Sequence, residues 1–215
     1  MIRDSSFILQ PSSLIYGIIP VKPLNRAKSR LARALKAHTR AALVRSLFSR
    51  TLDVIAQVER IDGVIVVSRD LTILELARQR NAIALAESES GLNSAITQAA
   101  QWAAKHHARA VIVIPVDLPL ITADDLTAII DRAGEERGVV IAPDRHEEGT
   151  NVLLVSPPDA IQFEYGASSF NVHRAQAIER GLIVHEYRSP TTAFDIDVPD
   201  DLERYRALDS HLISE

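Results

Sequence analysis

The chain has 215 residues, of which 47% are hydrophobic and 24% are charged, with a net charge of −4 and no cysteine. This composition is typical of a soluble globular domain, and the lack of cysteine excludes disulfides, cysteine-ligated zinc and thiol catalysis. A negative net charge argues against general nucleic-acid binding, and no apolar run reaches the roughly 18 residues of a membrane span. With no recognisable signal peptide, we expect a cytoplasmic protein without nucleic-acid or membrane partners.

Apolar, β-branched segments alternate along the chain with segments of helical periodicity. The predicted strands cover residues 14–21, 63–68, 82–86, 110–116, 139–142, 151–155 and 182–187. The predicted helices cover residues 39–58, 71–80, 92–106, 123–133, 170–180 and 199–208. Thr39 is the predicted cap of the first helix, and Thr122 that of the fourth. Strands that are apolar on both faces predict a mostly parallel, mixed sheet with helices on both faces, in one α/β domain over residues 13–215. Residues 1–12 are interpreted as an N-terminal extension.

A cationic segment follows the first predicted strand. No acidic residue lies between Ser5 and Leu52, and six of the Lys and Arg residues fall between Lys22 and Lys36. From Asp53 onward the balance reverses, with 27 acidic residues against 14 Lys and Arg. Ligands of α/β proteins bind where strands end, and Lys and Arg suit phosphates, so this segment predicts a polyanion site. A solvated basic helix face is the alternative.

Three aspartates also follow apolar segments. Asp117 ends the strand predicted over 110–116, and Asp195 and Asp197 project to one face if their segment is extended. Carboxylates held close together repel unless a cation lies between them, and their oxygens are the ligands that Mg²⁺ prefers. The alternatives are that Asp117 caps a turn and that Asp197 only caps the helix beginning near Pro199.

Small polar residues and glycines form two further groups of candidate ligand-binding residues. Gly149-Thr150-Asn151 opens a strand, and Gly166 to Ser169 leads into a helix whose N–H groups could bind an anion. Gly91 and Asn93 begin another helix, where the Asn amide could contact a nucleobase. Ordinary helix capping explains either group equally well.

The order of these motifs resembles that of the guanylyltransferases of coenzyme F-420 biosynthesis. The resemblance rests on residues 20–31 (Pro-Val-Lys-Pro-Leu-Asn-Arg-Ala-Lys-Ser-Arg-Leu), 91–93, 117–119, 149–151, 166–173 and 194–199, and spans about residues 14–208. It implies a nucleotidyltransferase fold of the Rossmann-like GT-A type. Nucleotidyltransferases of molybdenum-cofactor synthesis usually carry a Gly-rich first loop, which is Lys- and Arg-rich in this chain.

The resemblance also implies a reaction and a role for each motif. GMP would pass from GTP to phosphoenolpyruvate, with 2-phospho-L-lactate as the alternative acceptor. The implied roles are catalysis for Lys22, Lys28, Arg30 and Asp117; nucleotide binding for Lys22, Lys28, Arg30, Gly91 and Asn93; Mg²⁺ binding for Asp117, Asp195 and Asp197; and acceptor binding for Thr150, Gly166 and Ser169. Backbone groups near Ser68-Arg69 and in the turn 87–93 are candidates for distinguishing guanine from adenine.

Two other classes of function remain open from the residues alone. A glycosyltransferase could use Asp195-Ile196-Asp197 as its sugar-nucleotide metal motif, and a regulatory module could bind a nucleotide without catalysis. A homodimer is an alternative to a monomer, because a stripe of apolar surface residues that mediates self-association has the same sequence pattern as buried core residues.

Overall fold

Segments that are apolar on both faces form the strands of one sheet in the computed structural model, which describes residues 13–26 and 28–212, the side chains of 209–212 excepted. The strands are Ile15–Val21 (β1), Gly63–Ser68 (β2), Ile83–Ala86 (β3), Ala110–Val113 (β4), Gly138–Pro143 (β5), Thr150–Ser156 (β6) and Ile183–Glu186 (β7). The helices are Ala37–Ile55 (α1), Leu71–Gln79 (α2), Leu92–Lys105 (α3), Ala123–Ala133 (α4), Ser169–Glu179 (α5), Pro190–Ala193 (α6) and Pro199–Leu212 (α7), with a 3₁₀ helix at Ser29–Arg33.

The strand order is β3-β2-β1-β4-β6-β5-β7. All neighbouring pairs are parallel except the two that involve β6, which runs antiparallel to β4 and to β5. The prediction of a mostly parallel, mixed sheet is therefore confirmed. Because β6 is reversed, its first residues lie beside the carboxyl end of β4, where β1 and β2 also end.

Alternation along β1 shows how helices cover both faces of the sheet. Ile15, Ile19 and Val21 face one core with α1, α2 and α4, whereas Ile18 faces a second core with α3 and α5. This is the expected arrangement for strands that are buried on both sides. Burial of apolar surface on each face is thus the main stabilising contribution to the fold.

A third, smaller core supports the loops at the carboxyl ends of the strands. Leu31 of the 3₁₀ helix packs with Leu47 of α1, with Ile196 and with Leu202 of α7. This cluster joins the cationic segment to the segment that carries Asp195 and Asp197.

Some predicted boundaries are wrong for identifiable reasons. The fourth strand ends at Val113 rather than at residue 116, since Pro115 has no N–H to continue the ladder. Helix α1 begins at Ala37 with Lys36 as its N-cap, so Thr39 lies inside the first turn, whereas the predicted Thr122 cap is present. The prediction missed α6, a single turn too short to show periodicity.

The structure does not describe the predicted N-terminal extension, residues 1–12. Across the residues that it does describe, no helix has the length and hydropathy to span a membrane.

Candidate active site

A cleft runs along the carboxyl ends of the strands. Its first part has a volume of about 400 Å³ and brings together four cationic residues and two aspartates. The charged residues lining it are Lys22, Arg26, Lys28, Arg30, Asp117 and Asp197. Residues predicted from separate motifs thus share one cavity, as expected for the ligand crevice of an open α/β sheet.

The cationic loop between β1 and the 3₁₀ helix is anchored at both ends. The Leu24 amide donates to Asp70 Oδ2 at 2.9 Å, and Leu31 is fully buried in the third core. Lys22, which directly follows β1, and Arg26, between the two anchors, are exposed. Neither side chain forms an ion pair with any other described residue. Their charges therefore remain available to an anionic ligand.

Lys28 lies between two of the predicted metal ligands. Its ammonium is 2.9 Å from Asp117 Oδ2 and 3.2 Å from Asp197 Oδ1, and its side chain is 9% exposed. Burial alone would lower the pKa of Lys28, but the two carboxylates outweigh burial and raise it. Arg30 adds a contact to Asp197 Oδ2 at 3.1 Å from the solvent side. The lysine ammonium thus supplies the positive charge that the carboxylates need.

Asp195 and Asp197 flank the buried Ile196, whose amide donates to the Asp117 carbonyl at 3.0 Å. This backbone hydrogen bond joins the two acidic motifs. Burial, and then repulsion from Asp117 and Asp197, raise the pKa of Asp195 to about 6. No cluster of three or more potential metal ligands is present among the residues that the structure describes. The three-aspartate metal site therefore stays a prediction.

The capping alternative for Asp197 is excluded by the geometry at the start of α7. Asp201 Oδ2 accepts hydrogen bonds from the amides of Asp197 and Val198, both at 2.9 Å. Arg145 holds the other oxygen of Asp201 at 2.5 Å. The Asp197 carboxylate itself contacts Lys28 and Arg30, and among the described residues it accepts no hydrogen bond from the first turn of α7.

The predicted acceptor residues lie together but are already hydrogen-bonded to the protein. The Thr150 amide donates to Ser169 Oγ at 2.9 Å, and Thr150 Oγ1 lies 3.0 Å from His173 Nδ1. All three residues are buried. The amides of Ser169 and Phe170, at the start of α5, donate to backbone carbonyls of the adjoining loops. Acceptor binding by Thr150 and Ser169 stays a prediction, but their hydroxyls are engaged within the protein.

His173 has a structural role at this point. Its Nε2 accepts a hydrogen bond from the Glu164 amide at 3.0 Å, so Nδ1 carries the proton donated to Thr150. Burial lowers the pKa of His173 to about 4. The neutral imidazole therefore joins β6 to the loop before α5.

The two glycines of these motifs are required for different reasons. A Cβ on Gly149 would lie 2.7 Å from Asp144 Oδ2, which organises the turn before β6. Gly166 has φ +151°, which disfavours other residues, but a Cβ there would meet no atom within 4 Å. Any sensitivity of Gly166 to substitution within the described structure thus comes from backbone strain rather than from a tight wall.

The reversed strand places this group beside the aspartates. The side-chain Nδ2 of Asn151 donates to the carbonyl of Thr192 at 2.8 Å, three residues before Asp195. A purely parallel sheet would have placed the start of β6 at the opposite edge.

The second part of the cleft has a volume of about 410 Å³ and shares Lys22, Arg26 and Leu92 with the first. Gly91 lines it at the start of α3. Asn93 does not line either part: its side chain exchanges two hydrogen bonds with the Tyr165 backbone, at 2.8 and 3.2 Å. The nucleotide-binding role of Asn93 stays a prediction, and both polar atoms of its side chain are bonded to the loop before α5.

Sequence reasoning missed three side chains that line this cleft. In the sequence Arg26 is one member of a charged run, and the prediction around Arg69 and Glu87 concerns only backbone groups. The available signal was position, because Arg69 directly follows β2 and Glu87 directly follows β3.

Several proteins of known name are similar to this chain in sequence. A phosphoenolpyruvate guanylyltransferase of Sphaerobacter thermophilus is 44% identical over 187 residues, covering 87% of this chain and 90% of that protein. A 3-phospho-D-glycerate guanylyltransferase of Colwellia psychrerythraea is 31% identical, covering 92% and 94%. A 2-phospho-L-lactate guanylyltransferase of Methanocaldococcus jannaschii is 34% identical, covering 86% and 79%.

A solved structure with a similar fold and a family profile agree with the names of these relatives. A nucleotidyl transferase structure from Methanothermobacter thermautotroptrophicus superposes with a TM-score of 0.68 at 15% identity, covering 95% of this chain and 100% of that one. The profile of the family described as "Guanylyl transferase CofC like" matches residues 15–206, nearly the whole chain. Since match, fold and motif order agree, this chain belongs to the CofC-like guanylyl transferases.

Proposed function

We propose that the chain transfers GMP from GTP to a phosphorylated three-carbon acid and releases pyrophosphate. Phosphoenolpyruvate is the first choice of acceptor, and 2-phospho-L-lactate is the alternative. Support comes from the family and from the relative at 44% identity, which is named for phosphoenolpyruvate. The reaction would belong to coenzyme F-420 biosynthesis in the cytoplasm.

The observation that carries this proposal is the pairing of opposite charges in one cavity. Lys22 and Arg26 on one wall suit a triphosphate, and Asp117 and Asp197 form an anionic group beside Lys28. A glycosyltransferase or a passive binding module would not require a cationic loop and an acidic cluster side by side.

The proposed chemistry is a direct displacement. An oxygen of the acceptor phosphate forms a bond to the α-phosphorus of GTP, and the bond from that phosphorus to the bridging oxygen breaks, releasing pyrophosphate. The acceptor phosphate is ionised near neutral pH, so no general base is needed. Lys22 and Arg26 would hold the leaving pyrophosphate and offset the charge it develops, and positioning provides most of the acceleration.

We also propose that Asp117, Asp195 and Asp197 hold Mg²⁺. The fit rests on donor chemistry, since all three are carboxylates, whose oxygens suit Mg²⁺. Repulsion from Asp117 and Asp197 adds to burial in raising the pKa of Asp195. A bound divalent ion would neutralise phosphate charge beside the α-phosphorus. Lys28 now contacts two of these carboxylates, so it would have to yield them, and its ammonium would then be available to a phosphate.

The choice between the two acceptors depends on shape. They differ in planarity at one carbon, and so small a difference gives modest discrimination in a pocket. The buried group around Thr150 and Ser169 is proposed to shape the acceptor site through the backbone near Gly166.

A turnover assay tests the proposal. The purified chain is incubated with GTP, MgCl₂ and either phosphoenolpyruvate, 2-phospho-L-lactate or 3-phospho-D-glycerate, and pyrophosphate and the GMP adduct are quantified. We expect both products in equal amounts, with the highest kcat/KM for phosphoenolpyruvate. Release of GDP instead of pyrophosphate, or no adduct with any acid, would refute the proposal. A clear preference for another acid would overturn the choice of acceptor.

A further inference from the structure

The second part of the cleft lies where β2 and β3 end, on the side of the cationic loop away from Asp117. It is continuous with the first part through Lys22, Arg26 and Leu92. A nucleotide with its phosphates on the cationic loop would therefore extend its base into this part. Its volume of about 410 Å³ is within the usual range for ligand pockets.

Glu87 is the acidic residue of this part, and its side chain is only 10% exposed. Its backbone is fixed by a hydrogen bond from its amide to the Ser68 carbonyl at 3.0 Å. Among the described residues, its carboxylate forms an ion pair only with Arg69, whose Nε is 3.2 Å away. A carboxylate offers about four acceptor sites, so most of those on Glu87 remain available.

Arg69 is held between two anchored neighbours. Ser68 Oγ donates to the Val21 carbonyl at 2.7 Å, and Asp70 caps α2 while accepting the Leu24 amide. These bonds fix the end of β2 against the cationic loop. The Arg69 side chain is 43% exposed, so the guanidinium nitrogens other than Nε can reach a ligand. A buried acceptor and a cationic donor therefore stand side by side in a rigid frame.

We propose that Glu87 selects guanine by accepting hydrogen bonds from its N1–H and 2-amino groups, with Arg69 donating to the adjacent O6. Guanine presents two neighbouring donors that match the two oxygens of one carboxylate. Adenine and cytosine each present one donor next to an acceptor, and uracil presents a single N–H. Of the common bases only guanine satisfies this acid, and the others would leave a buried carboxylate poorly paired.

This inference rests on GTP being the donor substrate in the proposed function. The test measures equilibrium binding of GTP, ITP and 2′-deoxyGTP to the full chain by calorimetry, in MgCl₂ and without acceptor. ITP lacks the 2-amino group and is otherwise the same nucleotide. We expect wild type to bind GTP about 10- to 100-fold more tightly than ITP, the effect of one charge-assisted hydrogen bond.

The Glu87→Ala variant should bind GTP and ITP with about equal affinity, because the group that detects the 2-amino is gone. Glu87→Gln keeps the volume and one acceptor oxygen, and its GTP preference should fall below that of wild type. It serves in place of Glu87→Ala if the latter does not fold. Glu89→Gln is the matched control, since Glu89 is exposed two residues away and lines neither part of the cleft.

Two results would overturn the inference. If both Glu87 variants weaken GTP and ITP by the same factor, the ion pair with Arg69 is only structural. If they change the ratio of GTP to 2′-deoxyGTP and not that of GTP to ITP, Glu87 binds the ribose. A chain that binds GTP selectively through Glu87 but transfers GMP to no acid would refute the proposed function alone. Transfer with an unchanged GTP preference in the variants would refute this inference alone.

Discussion

Two regions at the carboxyl ends of the strands differ in what their polar side chains do. The donor half of the proposed site is the cleft beside the cationic loop, and its acceptor half is the buried group of Thr150, Ser169 and His173, which does not line that cleft. In the donor half, at the ends of β1, β2 and β3, Lys22 and Arg26 are exposed and lack ion-pair partners among the described residues. In the acceptor half, Thr150, Ser169 and His173 are buried and bonded to one another.

The difference follows from solvation. Water solvates an exposed charge until a ligand displaces that water, whereas a buried hydroxyl must find its hydrogen-bond partners within the protein. Side-chain charge is therefore expected to act directly in the donor half, and backbone and shape in the acceptor half. The predictions below test that contrast.

The largest effect is expected at the junction of the two halves. Asp117→Asn should keep the fold but lower kcat about a thousandfold, a barrier increase of about 4 kcal/mol, because it removes a carboxylate that balances Lys28 and is proposed to hold the metal. Asp197→Asn should act similarly. Steady-state kinetics measure the loss, with the exposed Asp200→Asn as control. Near-normal Mg²⁺-dependent turnover in the Asp117→Asn, Asp197→Asn double variant would show that the assignment is wrong.

The acceptor half should lose stability at acidic pH through His173. Its folded pKa of about 4 lies below the ordinary 6.5, so the unfolded chain takes up the proton first. The stabilising contribution is complete above pH 6.5 and is lost as pH falls toward 4, by up to about 3 kcal/mol. Urea denaturation across this range should show a shallower decline for His173→Gln, which cannot titrate. His38→Gln, at an exposed position, is the control, and parallel curves for wild type and His173→Gln would contradict the prediction.

The donor half should respond to loss of single charges. Lys22→Ala should lower kcat/KM for GTP about a hundredfold, or about 3 kcal/mol, because the lysine lines both parts of the cleft. Arg45→Ala, on an exposed position of α1 outside the cleft, should change little. Equal losses in the two variants would mean that the basic segment acts as a diffuse field without specific contacts.

The smallest effect is expected for Ser169→Ala, which removes the acceptor of the Thr150 amide. An unsatisfied buried amide should lower the free energy of unfolding by about 1–2 kcal/mol. The shifted backbone should raise the acceptor KM more than the GTP KM. Ser168→Ala is a matched control, since the Ser168 hydroxyl makes no capping bond to α5. Unchanged stability and unchanged acceptor KM would count against a supporting role for Ser169.

Much of the fold was predictable because its signals are local. Runs such as residues 111–114, apolar on both faces, indicate strands whatever their neighbours are, and all seven strands were predicted at about their observed positions. The Thr122 cap likewise depends on residues three apart. The predicted Thr39 cap is wrong because α1 begins two residues earlier, at Ala37, and α6 was missed because it is only one turn long.

The sequence by itself determined which charged residues follow the carboxyl end of each strand. The Lys and Arg residues after β1 and Asp117 shortly after β4 had to meet at one edge, because parallel strands bring their carboxyl ends together. Only the tertiary structure decided that β6 is reversed, since strand direction depends on the path of the chain between strands. That reversal brings Thr150 to the same edge and buries it against Ser169 and His173. Tertiary packing also decided that Lys28 pairs with Asp117 and Asp197, contacts between residues 89 and 169 positions apart that no local pattern encodes.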